Sequence, residues 1–284
     1  MLVSTVLFSM MHVCVRYLSS ELHPFEIAFF RNFLAFIFLL PLIMKNGGAI
    51  LKTSHLKWQV LRAGLNVIAM LMFFYALSIT PIAVVQALSF TAPLFATIMA
   101  VLLLGEKVKL RRWMAIIIGF TGVMVILQPG FQPIDTGALL VLGSSAVWAL
   151  TLITIKRLSN TDSPLTITIY VTMFLSILSL IPATFVWIWP QGWQWGWLLF
   201  AALTGTLAQL SLATAFAYAE ASVVLPFDFA KIIWSSLLVY FIFGELVSVN
   251  TWVGATLIFS GACYVAIREH RLEKFHRRVH EQSS

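Results

Sequence analysis

Asp228 and Lys231 stand three residues apart in an otherwise apolar stretch, where little is available to solvate an ion. Counted from a helix start near Ser222, Lys231 lies about 13 Å along the helix. At that depth in a membrane a cation costs about 2.5–3.5 kcal/mol on insertion scales, so it needs a cavity or a partner. Asp228 shares its helical face and supplies one. The two either form a structural pair or meet a charged small molecule, with Asp228 available to take up a proton. Arg31 is another cation in an apolar run, about 10 Å from Pro24 at helical rise. Its long stem allows snorkelling, a hold on a neighbouring helix, or contact with a substrate or gate.

Other residues suit a ligand-lined wall. Gln86, Phe90 and Pro93 share one face, and Pro93 and Pro226 each remove a backbone donor inside an apolar run. Such breaks serve as hinges, as ligand contacts, or as plain kinks. Trp148, Trp234 and Tyr75 offer aromatic platforms for a flat heterocycle, or packing. Glu106 and Glu245 each follow a glycine at the end of an apolar run and suit gate capping or packing. Covalent chemistry has less support. Residues 143–146 fit a Gly-x-Ser pattern seen in intramembrane serine proteases, but a nucleophilic serine needs a base within reach. His12, the one histidine inside an apolar run, is on the short first one. No phosphate-binding Gly-rich loop with a following lysine occurs.

The elements that hold these residues are membrane helices. Of 284 residues, 60% are hydrophobic and 10% charged, with a mean hydropathy of +0.94. A soluble domain is about 45–50% apolar and about 25% charged. Ten apolar stretches, roughly 1–18, 25–44, 59–79, 81–104, 113–128, 137–156, 165–189, 195–218, 222–243 and 249–267, predict ten spans. Continuous apolar runs exclude a β-barrel, whose strands alternate. With the N-terminus in the cytoplasm, every lysine and arginine but Arg16, Arg31 and Lys231 falls on the cytoplasmic side. A basic tail, 269–284, then meets anionic headgroups. Cys14 and Cys263 indicate neither a disulfide framework nor a metal cluster, and no cofactor is expected.

The chain also repeats itself. Shifted by 139 residues, Phe90 falls on Phe229, Gly105-Glu106 on Gly244-Glu245, Trp113 on Trp252, Phe120 on Phe259 and Gly122 on Gly261. The halves are 1–130 and 135–268, joined by a turn-rich link. Five spans per half is an odd number, so the second copy is predicted to lie upside down. The charge pattern agrees: Lys107, Lys109, Arg111 and Arg112 follow the first Gly-Glu, and no basic residue follows the second before the next span. Inverted repeats are a common basis of alternating access.

Residues 73–81, the Phe90-to-Pro93 segment, Gly105-Glu106 and Gly119 to Gly122 together resemble the drug/metabolite transporter superfamily, EamA family. Residues 226–229 and 243–245 resemble its bacterial branch of S-adenosylmethionine and riboflavin carriers. The resemblance implies an all-α integral membrane protein of ten transmembrane helices, built as two inverted five-helix repeats with both termini cytoplasmic. It implies a secondary active transporter in a bacterial inner membrane, with two halves rocking around a midplane cavity. S-adenosylmethionine or a similarly flat, cationic metabolite is the expected substrate, with a proton or counter-substrate as coupling partner. An exporter of amino acids or drugs is the alternative, and a passive channel or protease the reading from another class. Lipid and a small molecule are the expected partners, not nucleic acid, and the expected state is a monomer or weak homodimer.

Overall fold

In the computed structural model, residues 1–46, 51–104, 110–130, 133, 135–159, 161–219 and 224–264 are described. Helices α1 (Leu2–Leu18), α2 (Pro24–Asn46), α3 (Leu56–Ile79), α4 (Ile82–Ser89), α5 (Ala92–Leu104) and α6 (Leu110–Leu127) make up the first half. Helices α7 (Thr136–Leu158), α8 (Pro164–Ala183), α9 (Gly192–Tyr218), α10 (Ala230–Phe243) and α11 (249–264) make up the second. A 3₁₀ segment, Leu225–Phe229, leads into α10. Six stretches among the described residues are long and apolar enough to cross a membrane, one of them running across the α4–α5 break; α1 is shorter. The chain is a multi-pass membrane protein.

Local chemistry explains the helix ends. Asp135 caps α7 by accepting from Gly137 N, and Ser163 caps α8 by accepting from Thr166 N, so an amide left free by helix geometry is satisfied at each. Gly244 closes α10 in the left-handed region at φ 68°, a conformation glycine adopts without Cβ strain. Hydroxyls inside the spans are largely self-satisfied. On α8, Thr168, Thr172, Ser176 and Ser179 each donate to the carbonyl four residues back. In a medium without water that is the cheapest solution for a short polar side chain. Large side chains such as Ile68, Ile117, Leu203 and Phe241 stay exposed around the bundle, where lipid is their solvent.

The most extensive helix pairs are α3 with α7, α1 with α9 and α2 with α8, all of them between halves. Following the contacts round gives a closed ring: α1, α10, α4, α7, α3, α8, α2, α9 and back to α1. First-half and second-half helices alternate at every step. The contacts within each half are less extensive than those that bind it to the other half, which bears on the expectation of two halves rocking as separate bodies. Outside the ring, α6 crosses α11 closely. A Cβ on Gly122 would stand 2.5 Å from the Gly254 carbonyl oxygen, and one on Gly261 would stand 2.6 Å from that of Ala115. Under the 139-residue shift these are the same contact with the partners exchanged.

Side chains fasten both ends of the ring. At one end Asp162 accepts from Thr53 (2.7 Å) and Gln59 (2.8 Å), and the Arg157 guanidinium lies 4.0 Å above the Trp58 ring. At the other, Glu26 accepts from Ile188 N, Gln194 donates to Glu21 at 2.7 Å, and the Thr80 hydroxyl donates to Asp135. Lys52, Lys57, Lys156 and Arg157 gather at the first end, and Glu21, Glu26 and Asp135 at the second.

Candidate functional site: a central cavity

A cavity of about 120 Å³ opens inside the ring. Two broken spans form one wall. The fourth span ends α4 at Ser89, turns through Phe90 and Thr91, and restarts as α5 at Ala92. Pro93 is the second residue of α5, where its missing N–H would be unbonded anyway. The ninth span enters through the 3₁₀ segment, with Pro226 in its first turn, before α10 begins. Lys231 is thus the second residue of α10 and not nine residues into a continuous helix. Its ammonium still reaches Asp228 Oδ1 at 2.6 Å and lies 4.8 Å above the Phe8 ring. In a 3₁₀ turn, side chains three apart are nearly eclipsed, which favours this pairing.

Gln86, Phe90, Pro93, Trp148, Arg31, Asp228 and Lys231 all line the cavity. Tyr75 and Trp234 do not. Phe74 takes the inward direction on α3, and one residue's rotation turns Tyr75 outward against His23 and Phe25, ring centroids 6.0 and 6.2 Å away. Trp234 is 38% exposed because Lys231, Ile232, Ser235 and Val239 form the buried face of α10. Glu245 is exposed just beyond α10, while Glu106 and the basic tail lie outside the described residues.

Arg31 does not snorkel. It is 5% exposed, with Nη1 donating to Met11 Sδ at 2.8 Å and Nη2 to Asn32 Oδ1. The Arg16 guanidinium donates to Leu77 O at 2.9 Å. Arg62 is fully buried and donates to Ile167 O at 2.8 Å, so it ties α3 to α8 and is no longer a loop residue.

The structure brings further residues to this wall. His12 meets Gln86, whose amide nitrogen stands 2.7 Å from Nδ1. Asn66, Ser145 and Gln209 also line the cavity, as do Phe8, Met11, Phe229 and Phe259. Arg31 Nε, Asn66 Nδ2, Gln86 Oε1, Ser145 Oγ and Gln209 Oε1 have no hydrogen-bond partner among the described residues. A buried polar group left unbonded costs about 1–3 kcal/mol. The cavity wall thus carries donors and acceptors with hydrogen-bonding capacity to spare. The signal for Asn66 and Gln209 was in the sequence: unlike Ser or Thr, a carboxamide has more hydrogen-bonding positions than the preceding turn can satisfy. Phe229 stacks on Phe259 at 4.1 Å and meets Phe90, its repeat partner, at 5.2 Å. Among the described residues no group of His, Cys, Asp and Glu could hold a metal, and both cysteines are free thiols.

Known proteins share this plan. Residues 1–128 and 135–267 each match the EamA-like transporter family. An S-adenosylmethionine uptake transporter of Rickettsia felis is 31% identical, the alignment covering 95% of this chain and 92% of the relative. A riboflavin transporter of Vibrio cholerae is 33% identical over 98% and 95% of the two chains. A pseudopaline exporter of Pseudomonas aeruginosa is 25% identical over 88% and 89%. One crystal structure superposes with a TM-score of 0.67 over 96% of this chain and 97% of the other; at 16% identity that likeness concerns the fold. With two matches to the family spanning nearly its whole length, the chain belongs to the EamA-like transporter family and is a transporter of small metabolites, not an enzyme.

Proposed function

We propose that this protein is a secondary carrier of the bacterial inner membrane that moves S-adenosylmethionine, or a metabolite with a similarly flat heteroaromatic and charged groups, by alternating access. The observation that carries the reading is the central cavity, where unpartnered donors and acceptors sit beside Phe8, Phe90, Trp148, Phe229 and Phe259. Aromatic faces hold a flat ring and attract a sulfonium or ammonium. The polar atoms read the edges. In this reading the Asp228–Lys231 pair opens to meet charge on the substrate, and Asp228 takes up a proton when Lys231 turns away. The names of the Rickettsia and Vibrio relatives support this chemical class.

The halves 1–130 and 135–268 are read as inverted repeats with both termini in the cytoplasm. The exchanged glycine contacts between α6 and α11 and the separation of basic from acidic residues at the two ring ends support this arrangement. The moving bodies are then not the halves. The seam between α4 and α10, where both broken spans meet, is the part of the ring least able to act as a rigid strut, and opening alternates across it. The 269–284 tail is assigned to the headgroup layer, and the carrier to a monomer or weak homodimer.

Counterflow tests the reading. Purified protein in liposomes preloaded with unlabelled S-adenosylmethionine should accumulate the labelled compound saturably, and protein-free liposomes should not. Folded protein that accumulates neither S-adenosylmethionine nor riboflavin would overturn this substrate class.

A further inference from the structure

The cavity holds a lysine, an arginine and one carboxylate. Lys231 is matched by Asp228 at 2.6 Å. Arg31 makes no ion pair among the described residues. Its protein acceptors are a thioether, which is a weak one, and a neighbouring amide oxygen. Nε has no acceptor among the described residues. A guanidinium stays charged under any physiological condition, so ionisation cannot relieve this burial.

The surroundings keep space for that guanidinium. Gly205 on α9 faces it, and a Cβ there would stand 3.0 Å from Nη1 and 2.7 Å from Met11 Sδ. Phe74 covers it from α3, with the guanidinium carbon 5.8 Å from the ring centroid. A cation has been placed on a cavity wall, given room, and left without a counter-charge.

We infer that Arg31 is the subsite for a carboxylate of the transported molecule, which fills the missing ion pair on binding. This rests on the carrier reading and narrows it: of the flat metabolites, the site takes aminoacyl-type ones that carry a carboxylate beside the heterocycle. A neutral flavin would leave Arg31 unpaired. The two ends of the cargo are thereby separated, with the carboxylate at Arg31 and the cationic centre toward Asp228 and the aromatic wall. The paired Asp228 alone would have suggested a cation site. Summed with Lys231 and Arg31, the formal charge of these three groups is positive, which is why a carboxylate completes it.

The test uses the full-length protein in liposomes with three probes: S-adenosylmethionine, its decarboxylated analogue, and riboflavin. Wild type should take up S-adenosylmethionine with a half-saturation at least about tenfold lower than the decarboxylated analogue, the scale of one charge-assisted hydrogen bond. Arg31→Gln should erase that ratio by weakening only the carboxylated probe, and Arg31→Lys should recover part of it. If Arg31→Gln does not fold, Gly205→Ala keeps the guanidinium but crowds it and should shrink the ratio. The inference is overturned if wild type treats the two adenosyl probes alike, if Arg31→Gln weakens both equally, or if riboflavin alone is carried. Riboflavin transport would leave the carrier reading intact; uptake of no probe would overturn the substrate class on which the inference rests.

Discussion

The two broken spans occupy equivalent places in the repeat, yet they are built differently. In the fourth span the break is two residues, Phe90 and Thr91, between α-helices, and it carries no charge. In the ninth it is a five-residue 3₁₀ segment that brings Asp228 against Lys231, where the first half has Ser89 and Ala92. Both places hold a break and a phenylalanine, Phe90 and Phe229, while the ions stand in the ninth span only. An asymmetric cavity inside a near-symmetric frame suits a cargo whose two ends differ.

The sharpest way to break the comparison is to remove the charge from one side. Asp228→Asn leaves Lys231 buried without its counter-ion, and a loss of about 3–5 kcal/mol is expected, read as a lowered melting temperature in detergent. Adding Lys231→Met should restore much of that stability while transport stays lost. Recovery of transport in the double variant would show the pair to be scaffolding.

A second test asks whether the frame is as symmetric as the crossing of α6 and α11 suggests. Gly122→Val and Gly261→Val each push a side chain into a carbonyl on the facing helix. Each should cost about 1–3 kcal/mol, as overpacking does, and by similar amounts. A melting-temperature drop in only one variant would separate the two contacts. Less severe is the aromatic pair. Phe229 touches both Phe90 and Phe259, so Phe229→Ala should raise the half-saturation for S-adenosylmethionine more than Phe90→Ala does, by about the 0.5–1.5 kcal/mol of an extra ring contact. The smallest effect is expected outside the cavity: Trp234→Leu and Tyr75→Phe should change counterflow less than about twofold, in line with near-neutral surface substitutions.

How much of this was legible beforehand differs between scaffold and site. The ten apolar stretches correspond closely to the helices, because lipid demands long apolar runs and the sequence has little freedom to disguise them. The end of α4 and the late start of α10 were less visible. Pro93 and Pro226 mark them, but a proline does not say whether a helix kinks or stops. Asp228, Lys231, Gln86, Phe90 and Trp148 reach the cavity, while Tyr75 does not, since one residue of rotation decides the matter and hydropathy is blind to it. Asn66 and Gln209 were missed because attention went to full charges, and His12 was weighed only as a base. The interleaving of the halves is a property of tertiary contacts, with no local trace in any helix.

That interleaving carries a consequence for how the molecule is made. While the first five spans enter the membrane, none of their principal neighbours has yet been synthesised. Arg31 and Gln86 find Met11, Asn32 and His12 within the first half, but the walls that α7, α9 and α10 add around them arrive only later. Neither half is a product that a ribosome can release and leave to fold. Expressed alone, residues 1–130 should be degraded or should assemble with a second copy standing in for the absent half. Supplied together as separate chains, the halves should recover a working ring. The link at 128–135 then serves mainly to deliver both partners at one place in equal number.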